Sequence, residues 1–576
     1  MILSRLRIHS IKIAGERSSA IDQARGRLVL ISAVFMLCYM MIAVRVVDLT
    51  LIQGQFGQVR GPSELAVSDP VVTNAAPAAA VAARADIVDR NGVLLATTLK
   101  MASLYANPAL IDDAESTARG LAKIFPELSY GDVLQKLQKG KNFIWIRRNL
   151  TPEQQYAVLE LGQPGLGFER QDARIYPQGP LAAHLVGYAD IDNHGLAGVE
   201  RSFDSYLSDG KPLTLSVDIR LQHALRREVQ KAISDFSAIG GTGVIMDVTN
   251  GEILAGVSLP DFDPNAAGSA KKDAVFNRLT LGVYELGSMF KIFSTAALLE
   301  TQGLPMSTKF DAREPIKIGR FTINDYHAQK RVLTIPEVFM HSSNIGSALM
   351  GQTVGTKALR DFYTDIGLLT PMEIEISEIG KPQHPERWGE IDTLTASYGH
   401  GISTTPLQMV SAVSTIVNGG FFVKPKLVMG AESASAENSA LRVVSPQTAE
   451  SMRKLMRLVV TEGTGEKADV PGYSVGGKTG TAEKTGIGGY DRNRLISSFV
   501  GVFPMEEPRY AVMVMVDEPK GNKKSFGYAT AGWVAAPAVS RTIASMGSIL
   551  NIPAKPLGES VDISESLKQY VSDEHE

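Results

Sequence analysis

The sequence predicts an α+β protein carried on one N-terminal membrane helix, and three observations support that prediction. A single charge-free run near the start is long enough to cross a bilayer. Residues 237–550 open and close on strand-like runs around a mostly helical middle, which favours one α+β domain over alternating β-α-β units. Hydrophobic residues at 44% and charged residues at 21% give an ordinary globular mixture, which excludes a disordered chain, a collagen and a polytopic membrane protein. The 58 Lys and Arg against 61 Asp and Glu leave a net charge of −3, so no bulk attraction to nucleic acid is implied. One cysteine, Cys38, excludes an intrachain disulfide and a multi-cysteine zinc site.

The run Leu28–Val44 holds no charged residue, and at ~1.5 Å per residue it spans roughly 25 Å. Apolar character continues past Arg45 to Ile52. Arg5, Arg7, Lys12, Arg17, Arg25 and Arg27 precede the run, and no Lys or Arg lies between Arg45 and Arg60. That asymmetry predicts a cytoplasmic N-terminus and an exported remainder. No small-x-small cleavage site follows the run, so an uncleaved signal anchor is expected over residues 28–52, after a cytoplasmic tail 1–27. Residues 53–83 read as a linker, ending in the Ala/Pro stretch Ala75–Ala83.

Structured sequence is expected from Arg84. Asp89-Arg90-Asn91-Gly92 lies between β-like runs and predicts a hairpin. Residues 112–161 read as helical and polar, Leu213–Asp218 as a strand and Arg220–Phe236 as a helix, all assigned to a first exported domain over 84–236. At Gly241 the texture changes: Asn250-Gly251 joins two apolar runs and marks another hairpin. The runs Arg494–Pro504 and Arg509–Pro519 supply further strands, giving a second domain over 237–550. Residues 551–576, rich in Asp and Glu, read as a solvated tail.

Acyl transfer by a serine needs a hydroxyl, a nearby proton acceptor and donors for the oxyanion. Ser-x-x-Lys on a helix places an amine one turn from a hydroxyl. Ser269–Lys272, Ser288–Lys291 and Ser451–Lys454 all match, and any one is more often a surface helix than a site. Context separates them. Ser269 lies in a polar run and Ser451 opens an amphipathic helix, whereas Ser288 follows Gly287 and precedes Met289, Phe290, Ile292 and Phe293, apolar on every side. Burying Lys291 there is costly unless its pKa falls or it gains partners. Ser342-Ser343-Asn344, which can also be read as a helix cap, supplies a Ser-x-Asn. Lys478-Thr479-Gly480 ends a strand-like run and continues into Thr481, where a strand edge could bind an extended peptide. A second Lys-Thr-Gly, at Lys484, lies in a Gly-rich turn and reads as a flexible hairpin.

This ordered trio resembles the penicillin-binding protein and serine β-lactamase superfamily. RADIVDRNG from Arg84, RIYPQGPLAAHLVGY from Arg174 and GLAGVE from Gly195 look like the pedestal motifs of its class B penicillin-binding branch. FNRLTLGVYELGSMFKIF from Phe276 and SYGHGISTTPLQ from Ser397 look like that branch's transpeptidase domain, and the likeness runs from the anchor to about Pro537. Ala85 after Arg84, and Met289-Phe290 inside Ser-x-x-Lys, are small departures.

The resemblance implies an elongated pedestal over 84–236. It also implies a β-lactamase-like transpeptidase domain over 237–550, an antiparallel sheet flanked by helices. It implies that Ser288 attacks the carbonyl between two terminal D-alanines of a peptidoglycan stem and that Lys291 takes its proton. Ser342 would relay a proton to the leaving D-Ala with Lys478 nearby. Asn344 would hold the substrate amide, Lys478, Thr479, Gly480 and Thr481 would line the carboxylate site, and the N–H groups of Ser288 and Thr481 would form the oxyanion hole. No metal or cofactor is implied.

Expected partners are donor and acceptor stem peptides, β-lactams as covalent inhibitors, and a polytopic glycan polymerase of the shape, elongation, division and sporulation family with other division proteins. The expected place is the bacterial inner membrane, single-pass with a periplasmic catalytic domain, at the division site. An elongation-specific transpeptidase is the alternative. A carboxypeptidase or β-lactamase would need no pedestal, and nothing in the sequence identifies a deacylating glutamate.

Overall fold

The computed structural model describes residues 36–37, 39–41, 83–138, 142–319, 321–430, 441–486, 489–556 and 562–572. The expected anchor and linker therefore lie almost wholly outside the described residues. Among the described residues no helix is long and apolar enough to cross a membrane. Residues Val81–Glu576 form one compact unit.

The first hairpin forms as the turn residues dictate. Strand Ile87–Val88 pairs antiparallel with Leu94–Ala106, and the Asp89 carboxylate accepts the N–H groups of Asn91 and Val93 at 2.8 Å each. The long strand also pairs with Leu166–Ile175 and with Ile144–Leu150. That last strand corrects the expectation of continuous helix over 112–161. Helices Ala114–Ile124, Tyr130–Gln138 and Pro152–Leu159 form, but Ile144-Trp145-Ile146 between them is β-branched and aromatic and docks on Tyr105 and Ala106.

The three pedestal motifs meet at one point. Glu200 is fully buried and receives the Arg84 guanidinium at 2.6 Å and Arg174 Nε at 2.7 Å, while Arg84 also reaches Asp204 at 2.7 Å. Two guanidiniums thus face two carboxylates, which is the condition for burying charge without a large penalty.

The second domain is built on an antiparallel five-stranded sheet. Its order is Gly476–Gly486, Gly489–Phe503, Tyr510–Asp517, Gly240–Asp247, Ile253–Leu259. Helix Ile219–Asp235, expected in the first exported domain, packs on this sheet. Its Leu221, Leu225 and Val229 pack in one cluster with Ile245, Val512 and Val539. Gly243 makes that approach possible, since a Cβ there would meet Leu225 at 2.9 Å. Helix Ala531–Ile549 covers the same face. On the opposite face, the helices that carry the site share one core with the base of the pedestal, from Ile87 and Leu185 to Phe290 and Phe293.

The acidic C-terminus is not wholly solvated. Helix Glu565–Lys568 buries Leu567, the Tyr570 carbonyl accepts the Thr334 hydroxyl at 2.8 Å, and the Ser572 N–H donates to Glu337 at 2.9 Å.

Candidate active site

Gly287 adopts φ +53, a conformation favouring glycine, and a Cβ there would stand 2.8 Å from the Thr481 carbonyl. This lets the chain turn sharply against the sheet edge through the short 3-10 helix Gly287–Phe290 and run on into helix Lys291–Gln302. Met289, Phe290, Ile292 and Phe293 are fully buried, so the turn is locked, while Ser288 at its head is half-exposed. Lys291 is fully buried one turn on, its Nζ 3.1 Å from Ser288 Oγ.

Ser342 follows helix Ile335–Met340 in a left-handed conformation, φ +59, which costs a non-glycine residue about 1 kcal/mol. That turn aims both of its oxygens inward: Lys291 Nζ donates to the Ser342 carbonyl at 2.5 Å and lies 3.1 Å from its hydroxyl. Helix Asn344–Val354 begins directly afterwards, capped by Ser343, whose hydroxyl accepts the Gly346 N–H at 2.9 Å. Asn344 Oδ1 accepts from Lys291 at 2.8 Å and its Nδ2 donates to the Asn324 carbonyl at 2.9 Å.

Lys478 projects from the edge strand, fully buried, with Nζ 2.9 Å from Ser342 Oγ. The Ser342 hydroxyl therefore stands between two amines. Gly480 acts sterically, because a Cβ would lie 2.4 Å from the Leu286 carbonyl and push the strand off the Ser288 turn. Thr479 shares a 2.8 Å hydrogen bond with Thr464, and Thr481 Oγ1 accepts the Ala531 N–H at 3.1 Å, which leaves its own proton to donate.

Burial dominates the electrostatics. It pulls Lys291 well below the usual lysine range, and the nearby Lys478 charge lowers it further. Lys478 is pulled down to about 7 by burial. Among the described residues Lys478 forms no ion pair with a carboxylate. A neutral Lys291 has a lone pair to accept the Ser288 proton.

The other Ser-x-x-Lys matches stand apart. Ser269 bonds the Ala266 carbonyl on the surface, and Lys454 pairs with Glu450 at 2.6 Å. The second Lys-Thr-Gly is not a loose hairpin, since Lys484 is anchored to Asp517 and Glu518 at 2.9 Å each.

The model of the penicillin binding protein transpeptidase domain matches residues 241–542, and that of the penicillin-binding protein dimerisation domain matches 79–212. The chain belongs to the penicillin-binding protein transpeptidase family. It is 42% identical over 500 residues, 84% of each chain, to the probable peptidoglycan D,D-transpeptidase FtsI of Caulobacter vibrioides. It is 29% identical to the Escherichia coli K12 peptidoglycan D,D-transpeptidase FtsI over 76% of this chain and 80% of that one. The solved penicillin-binding protein 3 of Mycobacterium tuberculosis, complexed with aztreonam, superposes with a TM-score of 0.65 at 26% identity, covering 82% of this chain and 98% of that one. The pairing of a transpeptidase and a dimerisation domain makes the chain a class B penicillin-binding protein.

In this penicillin-binding protein, sequence reasoning missed several residues. Asp325 accepts the backbone N–H groups of Asn344 and Ile345 and the Ser343 hydroxyl, fixing the Ser-x-Asn turn from a distant loop. Glu285, His400 and Tyr490 gather beside Gly287; the Gly399–Gly401 pair flanking His400 was the available signal.

Proposed function

We propose that the protein is a septal peptidoglycan D,D-transpeptidase working through an acyl-enzyme on Ser288. The observation that carries the proposal is the Ser342 hydroxyl held between the Lys291 and Lys478 amines, next to Ser288. Lys291, neutral because it is buried, takes the Ser288 proton as Oγ attacks the carbonyl of the penultimate D-Ala. The N–H groups of Ser288 and Thr481 stabilise the oxyanion. Ser342 passes a proton to the departing D-Ala amine, and Lys478 replenishes it. The substrate's terminal carboxylate, bound by Thr479, Thr481 and Lys478, supplies the counter-ion that Lys478 lacks. An amine of a neighbouring stem then attacks the acyl-enzyme and closes the cross-link. β-Lactams would acylate the same serine.

Mapping a fluorescent penicillin adduct by mass spectrometry tests the nucleophile: the label belongs on Ser288, and an adduct on Ser269 or Ser451, or full labelling of Ser288→Ala, overturns it. The charge asymmetry around Leu28–Val44 supports an inner-membrane anchor with the catalytic domain in the periplasm. The names of the Caulobacter and Escherichia relatives support a septal role, and a polytopic glycan polymerase is the partner proposed with it. Depletion should give filaments, whereas swollen rods would point to elongation; failure of the polymerase to copurify in mild detergent would count against the partnership.

A further inference from the structure

Glu285 lies three residues before Ser288, and its carboxylate accepts the Tyr490 O–H at 3.1 and 3.0 Å and the Gly401 N–H at 3.3 Å. Among the described residues Glu285 forms no ion pair, and burial raises its pKa. His400 stacks on Tyr490 with ring centroids 4.9 Å apart and tilts against Tyr398 at 5.0 Å. Burial lowers His400 to about 4, so the imidazole is neutral at physiological pH. A half-buried carboxylate with no ion pair among the described residues, held by the Tyr490 hydroxyl with His400 and Tyr398 in ring contact beside it, is built to receive a cation.

The cluster borders the reaction centre. A Cβ on Gly399 would lie 2.1 Å from the Gly287 carbonyl, so the turn carrying His400 rests on the turn carrying Ser288. Tyr490 pairs with Thr485 near the far end of the strand that carries Lys478. A donor added antiparallel to that edge, with its carboxylate at Thr479 and Thr481, runs from there towards Thr485. Its third residue from the end lies roughly 7–10 Å along the strand, with a side chain to cover the rest.

We infer that Glu285, Tyr490 and His400 form a binding site for the side-chain ammonium of a stem peptide, a site that rests on the transpeptidase reading. The ammonium belongs either to the donor's third residue or to the incoming acceptor.

Two donor peptides ending in D-Ala-D-Ala separate these sources, one with a free side-chain amine and one with that amine acetylated. The readout is the ratio of kcat/KM for D-Ala release by the full-length protein in detergent. A donor site gives the wild type a preference of about tenfold for the free amine, and Glu285→Gln should reduce it to about one. Tyr490→Phe, which removes only the hydroxyl that holds the carboxylate, should lower the ratio partway and serves if Glu285→Gln misfolds. An acceptor site leaves the donor ratio near one but raises the acceptor concentration for half-maximal cross-linking about tenfold in Glu285→Gln. The inference is overturned if neither quantity moves in variants that still take a penicillin label. If the wild type neither releases D-Ala nor takes the label, the transpeptidase reading itself fails.

Discussion

The pedestal and the active site both bury two cationic side chains, and they do it in opposite ways. Arg84 and Arg174 share the buried Glu200 carboxylate, and Asp204 completes the charge balance. Lys291 and Lys478 meet hydroxyl, carbonyl and amide oxygens and form no ion pair among the described residues, and burial depresses both. The residue types suit the two tasks. A guanidinium stays protonated and forms a fork with carboxylate, so it makes a permanent joint. An ammonium without a counter-ion gives up its proton and becomes a base. In this protein the buried cations that are ion-paired sit in the pedestal, and those held only by neutral oxygens sit beside Ser288.

Substitution at the base breaks that contrast most sharply. Lys291→Arg places a group that cannot deprotonate beside Ser288, and acylation by one β-lactam should fall about 10²–10⁴-fold, with folding checked by thermal melts. Wild-type acylation rates would refute the assignment of the base. In the pedestal, Glu200→Gln strands the buried Arg174 guanidinium and leaves Arg84 with Asp204 alone, which should cost about 3–5 kcal/mol in urea unfolding, while the protein that remains folded still takes the penicillin label.

Lys478→Arg tests whether the second amine must exchange protons or only carry charge. A loss of roughly tenfold, smaller than at Lys291, is expected, falling mainly on substrate affinity. If this variant is dead while Lys291→Arg is fully active, the two roles are reversed.

The subtlest effect is on stability against pH. Burial pulls folded Lys478 down to about 7 from the ordinary lysine value of 10.5 that it keeps when unfolded, so the unfolded chain binds more protons between those limits. The penalty of burying it is complete below about 7 and fades as pH rises towards 10.5. Lys478→Met should therefore stabilise the protein more at pH 6 than at pH 10, measured by paired denaturation curves. Equal differences at both pH values would show that Lys478 is not depressed.

The sequence by itself determined the Ser288–Lys291 contact, because it lies within one turn and an apolar surround declares its burial. It likewise determined the hairpins at Asp89–Gly92 and Asn250-Gly251, whose turn residues act locally. It could not determine that Ser342 bridges two lysines, since that depends on a left-handed turn meeting a strand far away in the chain. Asp325 was invisible for the same reason: an aspartate in a loop has no local pattern that says whose N–H groups it will accept. Strand Ile144–Leu150 was misread, and the packing of helix Ile219–Asp235 on the sheet was not legible, because pairing and docking, not periodicity, decide both. The pedestal motifs were legible as segments, yet only the tertiary structure joined Arg84, Arg174 and Glu200 into one ion cluster. Local sequence encodes contacts within a turn or two; charge balance is a property of what the fold brings within a few ångströms, and here it separates the joint from the catalyst.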